Sequence, residues 1–394
     1  MKNIIHESEV IYKCFTEIKL TQIFSRIIIK HILTIVIAAL SLGYKGKTVN
    51  FARYSPCHRT TVAHFLNQGK WADAKLDGII KSKVIEIIYG EALASGKPIY
   101  VIIDDTICSK SKPSSRALHP IEDAYFHKSN LKKKQDYGHQ AVTVMLSCNG
   151  ITLNYAITLY DKTKTKIQIV QDIAAKLPVT PVVGYLLCDS WYTSVKVIDA
   201  FLAKGFYTIG AIKTNRIIYP CSIKKKINEF ALFMKNTDPD IRLVTVGSRQ
   251  YYVYRYEGKL NGIDDAVVLI TYPKDSFANP KALRAFICTD TSLSTNEILD
   301  IYMERWPIEV FFRQTKNILA LNKYQIRSSD GIKRFWLLMS LTHLICCVGT
   351  GKYCAFSEGY SFFQQELHKE RVGFIYLCGV NNVPLNDVWT LFAV

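Results

Sequence analysis

A mixed α/β sheet flanked by helices, preceded by a helical region and interrupted by an all-strand insert, follows from three features of this 394-residue chain. Apolar residues recur at three- and four-residue spacing over residues 1–95, with no strand pattern among them. From Pro98 the texture changes to short apolar runs separated by helical stretches. Between Thr214 and Arg284, alternating and apolar runs follow one another with only turn signals between them.

Within the first region, Cys57 to Leu66 reads as a short helix presenting Arg59 and His64, which suits a small DNA-binding unit or a plain helical subdomain. Pro98 to Asp104 is a continuous apolar run, as expected of a strand buried on both faces, and Asp104 is expected to end it. Ala141 to Ser147 and Ile151 to Leu159 are two further strands, joined by a hairpin turn at Cys148–Asn149–Gly150. A helix over Lys166 to Lys176 leads to a buried strand, Val182 to Cys188, which ends at Asp189. A helix from about Ser194 to Lys204 and a strand over Phe206 to Ile212 follow. The insert contributes strands at Ile241 to Val246, Gln250 to Tyr256 and Ala266 to Tyr272, and Ala285 to Thr289 returns to the main sheet. Ser294–Thr295–Asn296–Glu297 is a capping box that starts a helix, and Pro307 kinks or restarts it because proline lacks an amide proton. The expected organisation is a helical region over 1–95, a first core part over 96–213, a strand insert over 214–284, a second core part over 285–345 and a C-terminal region over 346–394.

A formal net charge of +17 and a pI near 9.3 favour a polyanionic partner, either nucleic acid or an anionic membrane surface. Lys132–Lys133–Lys134 and Lys224–Lys225–Lys226 add basic runs beside the core and on the insert. The eleven scattered cysteines form no Cys-x-x-Cys pair and read as reduced thiols of a cytoplasmic protein. The charged first twenty residues do not form a signal peptide. Ile32 to Leu42 and Phe335 to Gly349 fall short of the roughly 20 residues a membrane span requires, so both are expected to be buried helices. Gly43 to Thr48 resembles the end of a phosphate-binding loop, but Ser41 stands where its first glycine belongs. No Gly-x-Ser-x-Gly elbow supports a hydrolase triad.

The residues that carry chemistry are Asp104 or Asp105, Asp189, and the group Tyr302, Arg305, Glu309 and Lys316. Glu309 and Lys316, both beyond Pro307, share a helical face. Three carboxylates brought to one sheet edge would repel one another unless a cation joined them. Hard carboxylate oxygens suit Mg²⁺ or Mn²⁺, and two such ions clamp the attacking and leaving oxygens of a displacement at phosphorus. Tyr302, Arg305 and Lys316 would hold phosphate oxygens nearby.

This order of elements, the two aspartates and the spacing Tyr-x-x-Arg-x-x-x-Glu-x-x-x-x-x-x-Lys resemble the bacterial insertion-sequence transposases of the DDE type, over about residues 96 to 345. The resemblance implies a ribonuclease-H-like core with a strand insert before the glutamate helix. It implies Asp104, Asp189 and Glu309 as the catalytic acids, with Asp105 the alternative to Asp104 as metal ligand. Asp104 is preferred because it precedes Thr106 by two positions, as the family's first acid often precedes Ser or Thr. Tyr302, Arg305 and Lys316 then grip DNA backbone, and Lys213, Asn215 and Arg216 match another DNA-contact run. The implied activity is cut-and-paste transposition: Mg²⁺-dependent cleavage of double-stranded DNA at the element's ends, then strand transfer into target DNA. A dimer assembled on DNA, in the cytoplasm of a bacterium and associated with its nucleoid, is expected. A base flipped onto an aromatic of the insert is a further implication, but Tyr251, Tyr252, Tyr254 and Tyr256 read mainly as strand-packing residues. A nuclease with the same core, or a DNA-binding relic of a transposon, are the alternatives.

Overall fold

The computed structural model describes residues 8–55, 57–118, 120–129 and 133–392, so Lys132 of the first basic run lies outside the described residues. The helical region comprises α1 (Glu9–Glu17), α2 (Leu20–Ile23), α3 (Arg26–Leu40), α4 (Thr48–Ala52), α5 (Arg59–Asn67) and α6 (Asp73–Ser95). Helix α3 is apolar around much of its circumference and is correspondingly buried from Ile32 to Leu40. Helix α5 buries Val62, Phe65 and Leu66 and leaves Arg59, Thr60, Thr61 and His64 exposed. Helix α6 stops at Gly96, whose φ of 67° is a left-handed cap that glycine adopts without a Cβ penalty.

The sheet then begins with β1 (Ile99–Ser109), β2 (Tyr125–Ser129), β3 (Lys134–Cys148) and β4 (Ile151–Leu159). Helix α7 (Lys166–Lys176), β5 (Gly184–Cys188), α8 (Val195–Leu202) and β6 (Phe206–Ile212) complete the first part of the core. In space these strands run β4-β3-β1-β5-β6, with β1, β5 and β6 parallel and β3 antiparallel to β1, to β4 and to β2. This is the ribonuclease-H-like order. The β3–β4 hairpin turns at Asn149 and Gly150, both at positive φ, which suits the right-handed twist of the strands.

The insert carries β7 (Ile217–Ile218), β8 (Lys225–Lys226), α9 (Ile227–Phe230), β9 (Ile241–Val246), β10 (Arg249–Leu260) and β11 (Ile263–Pro273). Its strands continue the same sheet: β12 (Arg284–Cys288) pairs with β6, then β11, β10, β7 and β8 follow, giving one sheet of twelve strands. Tyr256 is buried, Tyr254 packs on Phe230 and Tyr252 on Phe277, so these three tyrosines pack the insert. Five helices close the chain: α10 (Thr295–Met303), α11 (Pro307–Asn317), α12 (Ser329–Val348), α13 (Phe356–Val380) and α14 (Leu385–Phe392). Pro307 restarts the helix as expected, since α10 ends at Met303 and α11 begins at the proline. Helix α12 is the one helix among the described residues long and apolar enough to cross a membrane, and 78% of its apolar window is buried inside the protein.

One expectation is corrected. Asp104 does not end its strand: β1 continues to Ser109, paired with β3 as far as Gly138. Only the parallel neighbour stops there, because β5 ends at Cys188 opposite Ile103. Beyond that point β1 stays paired with β3 on one side and has no strand paired on the other. Strand β2 was not expected either; its residues Tyr-Phe-His-Lys-Ser lack an apolar run, and pairing to β3 makes it a strand.

Successive β1 residues alternate between two cores. Ile99, Val101 and Ile103 join the helical region and α12, while Ile102 joins α10 and α11. Helices α12 and α13 approach so closely that a Cβ on buried Gly359 would overlap the Cys346 carbonyl. Gly359→Ala should therefore destabilise the protein by about 1–3 kcal/mol through overpacking. Urea denaturation checks this, and an unchanged midpoint would show that the two helices separate freely.

Candidate active site

Strand register brings the first two acids together. The last β1–β5 pair is Ile103 with Cys188, so Asp104 and Asp189 are the next residues on adjacent parallel strands. Asp104 lies on the α10–α11 face of the sheet. Its Oδ2 accepts from Nη1 of Arg305 at 2.8 Å, and its Oδ1 accepts from the Asp105 amide at 2.8 Å. Arg305 sits in the turn between α10 and α11, and its Nη2 also reaches Oε1 of Glu309 at 3.4 Å. One guanidinium thus bridges the first-turn glutamate of α11 to an aspartate of β1, with Arg305 and Asp104 only 19% and 17% exposed.

Burial pushes the Asp104 carboxyl up to about 7, against the pull of Arg305 and with reinforcement from Asp189. Burial also raises Asp189, opposed chiefly by the Trp191 amide, which donates to its Oδ1 at 2.9 Å. Burial holds the Tyr302 phenol up at about 12 despite Arg305, so it remains a proton donor at neutral pH. The Tyr302 ring rests on Phe286 at 4.7 Å. For Arg305, burial works against the charge, and Tyr302, Asp104 and Glu309 more than restore it.

Asp105 points to the other face and is fully engaged. Its Oδ1 accepts from Gln140 Nε2 at 2.6 Å, and its Oδ2 from Lys166 Nζ at 2.8 Å and the Tyr192 hydroxyl at 2.7 Å. Lys316, at the far end of α11, donates to Thr106 Oγ1 at 2.5 Å and the Ile107 carbonyl at 3.1 Å, fastening α11 to β1. Of the second basic set, Lys213 and Asn215 are exposed, while Arg216 donates to the Thr193 carbonyl at 2.5 Å and holds the loop after β5.

Arg305 therefore joins Asp104 to Glu309, Asp189 feels the charges of Asp104, Asp105 and Arg305, and Lys316 braces α11 against β1. Lys166, Tyr192 and Trp191 are the residues that sequence reasoning missed. Trp191, two residues past Asp189, was the available signal; Lys166 comes from a helix start remote in sequence and carried none.

An all-oxygen set of Asp104, Asp189 and Glu309 has the chemistry of a Mg²⁺ or Mn²⁺ site. Among the described residues, no three His, Cys, Asp or Glu side chains already stand as a group able to hold an ion. The Arg305 guanidinium lies between Asp104 and Glu309 and supplies their positive charge instead. The donor chemistry fits a divalent ion once that guanidinium leaves the carboxylates.

Residues 95–345 match the family model of the transposase DDE domain, which spans more than half of the chain. No curated protein matches the chain.

The raised carboxyls set the pH dependence of the metal-free protein. The folded state keeps protons that the unfolded chain has released, so these groups cost stability as pH climbs from about 4 toward the raised folded values. For Asp104 that window closes near 7. Asp189→Asn should flatten this decline and leave metal-free stability at pH 7.5 equal or slightly higher. Asp105→Ala, which strands Lys166 and Tyr192, should cost about 3–5 kcal/mol. Thermal melts in chelator at several pH values test the pair; equal damage from both would give Asp189 a structural role like that of Asp105.

Proposed function

The chain belongs to the DDE transposase family, and from that premise we propose that it cuts DNA at the ends of a bacterial insertion sequence and joins the freed 3′ ends to target DNA. The observation that supports this reading is that Asp104 and Asp189 directly follow the last β1–β5 pair, while Arg305 joins Asp104 to Glu309. Asp104, Asp189 and Glu309 are the acids that hold Mg²⁺, or Mn²⁺ in its place, as two ions. When bound, these ions supply the activation of a nucleophile and the neutralisation of charge growing at phosphorus.

The protein's own groups do the remaining work. Arg305 is a planar fork with donors already aimed at oxygen pairs, so an incoming phosphate can replace the carboxylates as its acceptor. Tyr302 keeps its proton and can donate to the same backbone. Lys316 holds α11 in register with β1, which fixes the height of Glu309 relative to Asp104. Lys213 and Asn215 are free to contact backbone phosphates outside the acids, while Arg216 positions their loop. The exposed Arg59, Thr60 and His64 of α5 suit recognition of the element's end sequence. Because two ends must be cut and joined together, the active assembly is a dimer formed on DNA.

Glu309→Gln should lower Mg²⁺-dependent cleavage of DNA carrying the element's flanking ends by about 100-fold or more, with binding in chelator retained. Gel-resolved cleavage and strand-transfer products measure both steps. Equal cleavage by the variant would remove Glu309 from the site. Cleavage by the wild type without joining would identify a nuclease, and tight binding without cleavage a DNA-binding relic.

A further inference from the structure

Beside Asp104 stands a buried hydroxyl with nothing to bond. Thr143 is the cross-strand partner of Asp104 in the β1–β3 pair, so the two side chains leave the sheet on the same face. The next pair along that face, Ile102 with Met145, belongs to the core under α10 and α11. In the other direction along β1, Thr106 receives the Lys316 ammonium. Thr143 is fully buried, and its Oγ1 has no hydrogen-bond partner among the described residues.

An unpaired hydroxyl taken out of water costs stability, because its hydration is lost and nothing replaces it. Strand geometry closes off the local remedy. On a helix a threonine bonds the carbonyl one turn back, as Thr34, Thr315 and Thr342 do here, but an extended chain offers no such acceptor. The neighbouring carboxylate is within reach, since directly opposed Cβ atoms stand about 4.5–5.5 Å apart and a turn about χ1 exchanges the hydroxyl for the methyl. In this structure Asp104 has other donors: Arg305 on its Oδ2 and the Asp105 amide on its Oδ1. Valine has the same shape and would fill the position without the unpaired atom, so packing alone does not account for the hydroxyl.

We propose that Thr143 is a positioning residue for the first acid. When Arg305 turns to a DNA phosphate, the Thr143 hydroxyl donates to the Asp104 carboxylate and holds it in the orientation that receives a divalent ion. The inference rests on the reading of Asp104, Asp189 and Glu309 as the ion-holding acids and adds a residue to it. The exchange is inexpensive because the new donor is already in place and already dehydrated. A hydrogen bond made to an ion's ligand typically changes ion affinity by about 10–100-fold.

The test reads ion binding instead of cleavage. Full-length protein is bound to a duplex of the element's end that stops at the cut position, which leaves nothing to cleave, and free Mn²⁺ is followed by electron paramagnetic resonance during titration. Thr143→Val should weaken Mn²⁺ binding about tenfold or more, and Thr143→Ser, which keeps the hydroxyl, should bind close to the wild type. In chelator without DNA, Thr143→Val should melt at the wild-type temperature or above it, because an unpaired polar atom has been removed. Equal Mn²⁺ affinity in Thr143→Val and the wild type would overturn the proposal and leave Thr143 a packing residue. A lower melting temperature of Thr143→Val in chelator would overturn it too, since the hydroxyl would then have a structural partner. Glu309→Gln controls for the underlying reading: Mn²⁺ binding that survives it would remove the acids as the ion site, and this inference with them. Loss in Glu309→Gln beside no change in Thr143→Val would sink this inference alone.

Discussion

Two carboxylates brought side by side in a sheet interior form the constraint around which this molecule is arranged. Parallel pairing of β1 and β5 puts Asp104 and Asp189 in adjacent register positions, and burial denies both the water that would screen them. Repulsion and desolvation act in the same direction, favouring the protonated acids. A cation close by offsets part of that cost. In this structure the cation is Arg305, delivered by the short turn that Pro307 imposes between α10 and α11. The proline therefore has a function beyond ending a helix: a continuous helix would carry Arg305 along its own axis instead of presenting it across the gap.

The alternation of a β-strand assigns neighbouring aspartates to different tasks. Asp104 faces the α10–α11 side and meets one guanidinium, whereas Asp105 faces α7 and receives three donors from three separate elements. A carboxylate so fully satisfied has little capacity left for another ligand, and moving its partners would disturb β3, α7 and the loop after β5 together. This difference in occupancy supports Asp104 over Asp105 as the first acid. It also explains why the pair is useful: the outer residue locks the strand on which the inner one is displayed.

The local features of this fold were legible in sequence because they depend on near neighbours. The apolar run before Asp104, the turn at Asn149–Gly150, the capping box at Ser294 and the break at Pro307 are each written within a few residues, and each lies where expected. What escaped depends on pairing between distant segments. The extension of β1 to Ser109 is set by β3, the strand character of β2 comes from the same partner, and the continuation of the insert into the main sheet is set by β12 lying against β6. The site divides in the same way. Asp189 and Glu309 could be chosen by position, but Lys166 becomes part of the site only when α7 is folded against β1. The engagement of Lys316 with Thr106 and Ile107, as a brace of the sheet, likewise needed the packed structure to be visible.

The bridging guanidinium also bears on how a transposase of this design avoids premature reaction. While Arg305 spans Asp104 and Glu309, the carboxylates are neutralised from within, and a divalent ion must compete with a donor already in place. On the proposed reading, a DNA phosphate would offer Arg305 an alternative bidentate acceptor. Releasing the acids at the moment the backbone arrives would couple ion capture to substrate engagement. A lysine could not do this equally well, since a point charge cannot hold two carboxylates in a fixed plane and then present the same fork to phosphate. The arginine of the Tyr-Arg-Glu-Lys spacing is, in this structure, the cation that joins the acid of β1 to the acid of α11.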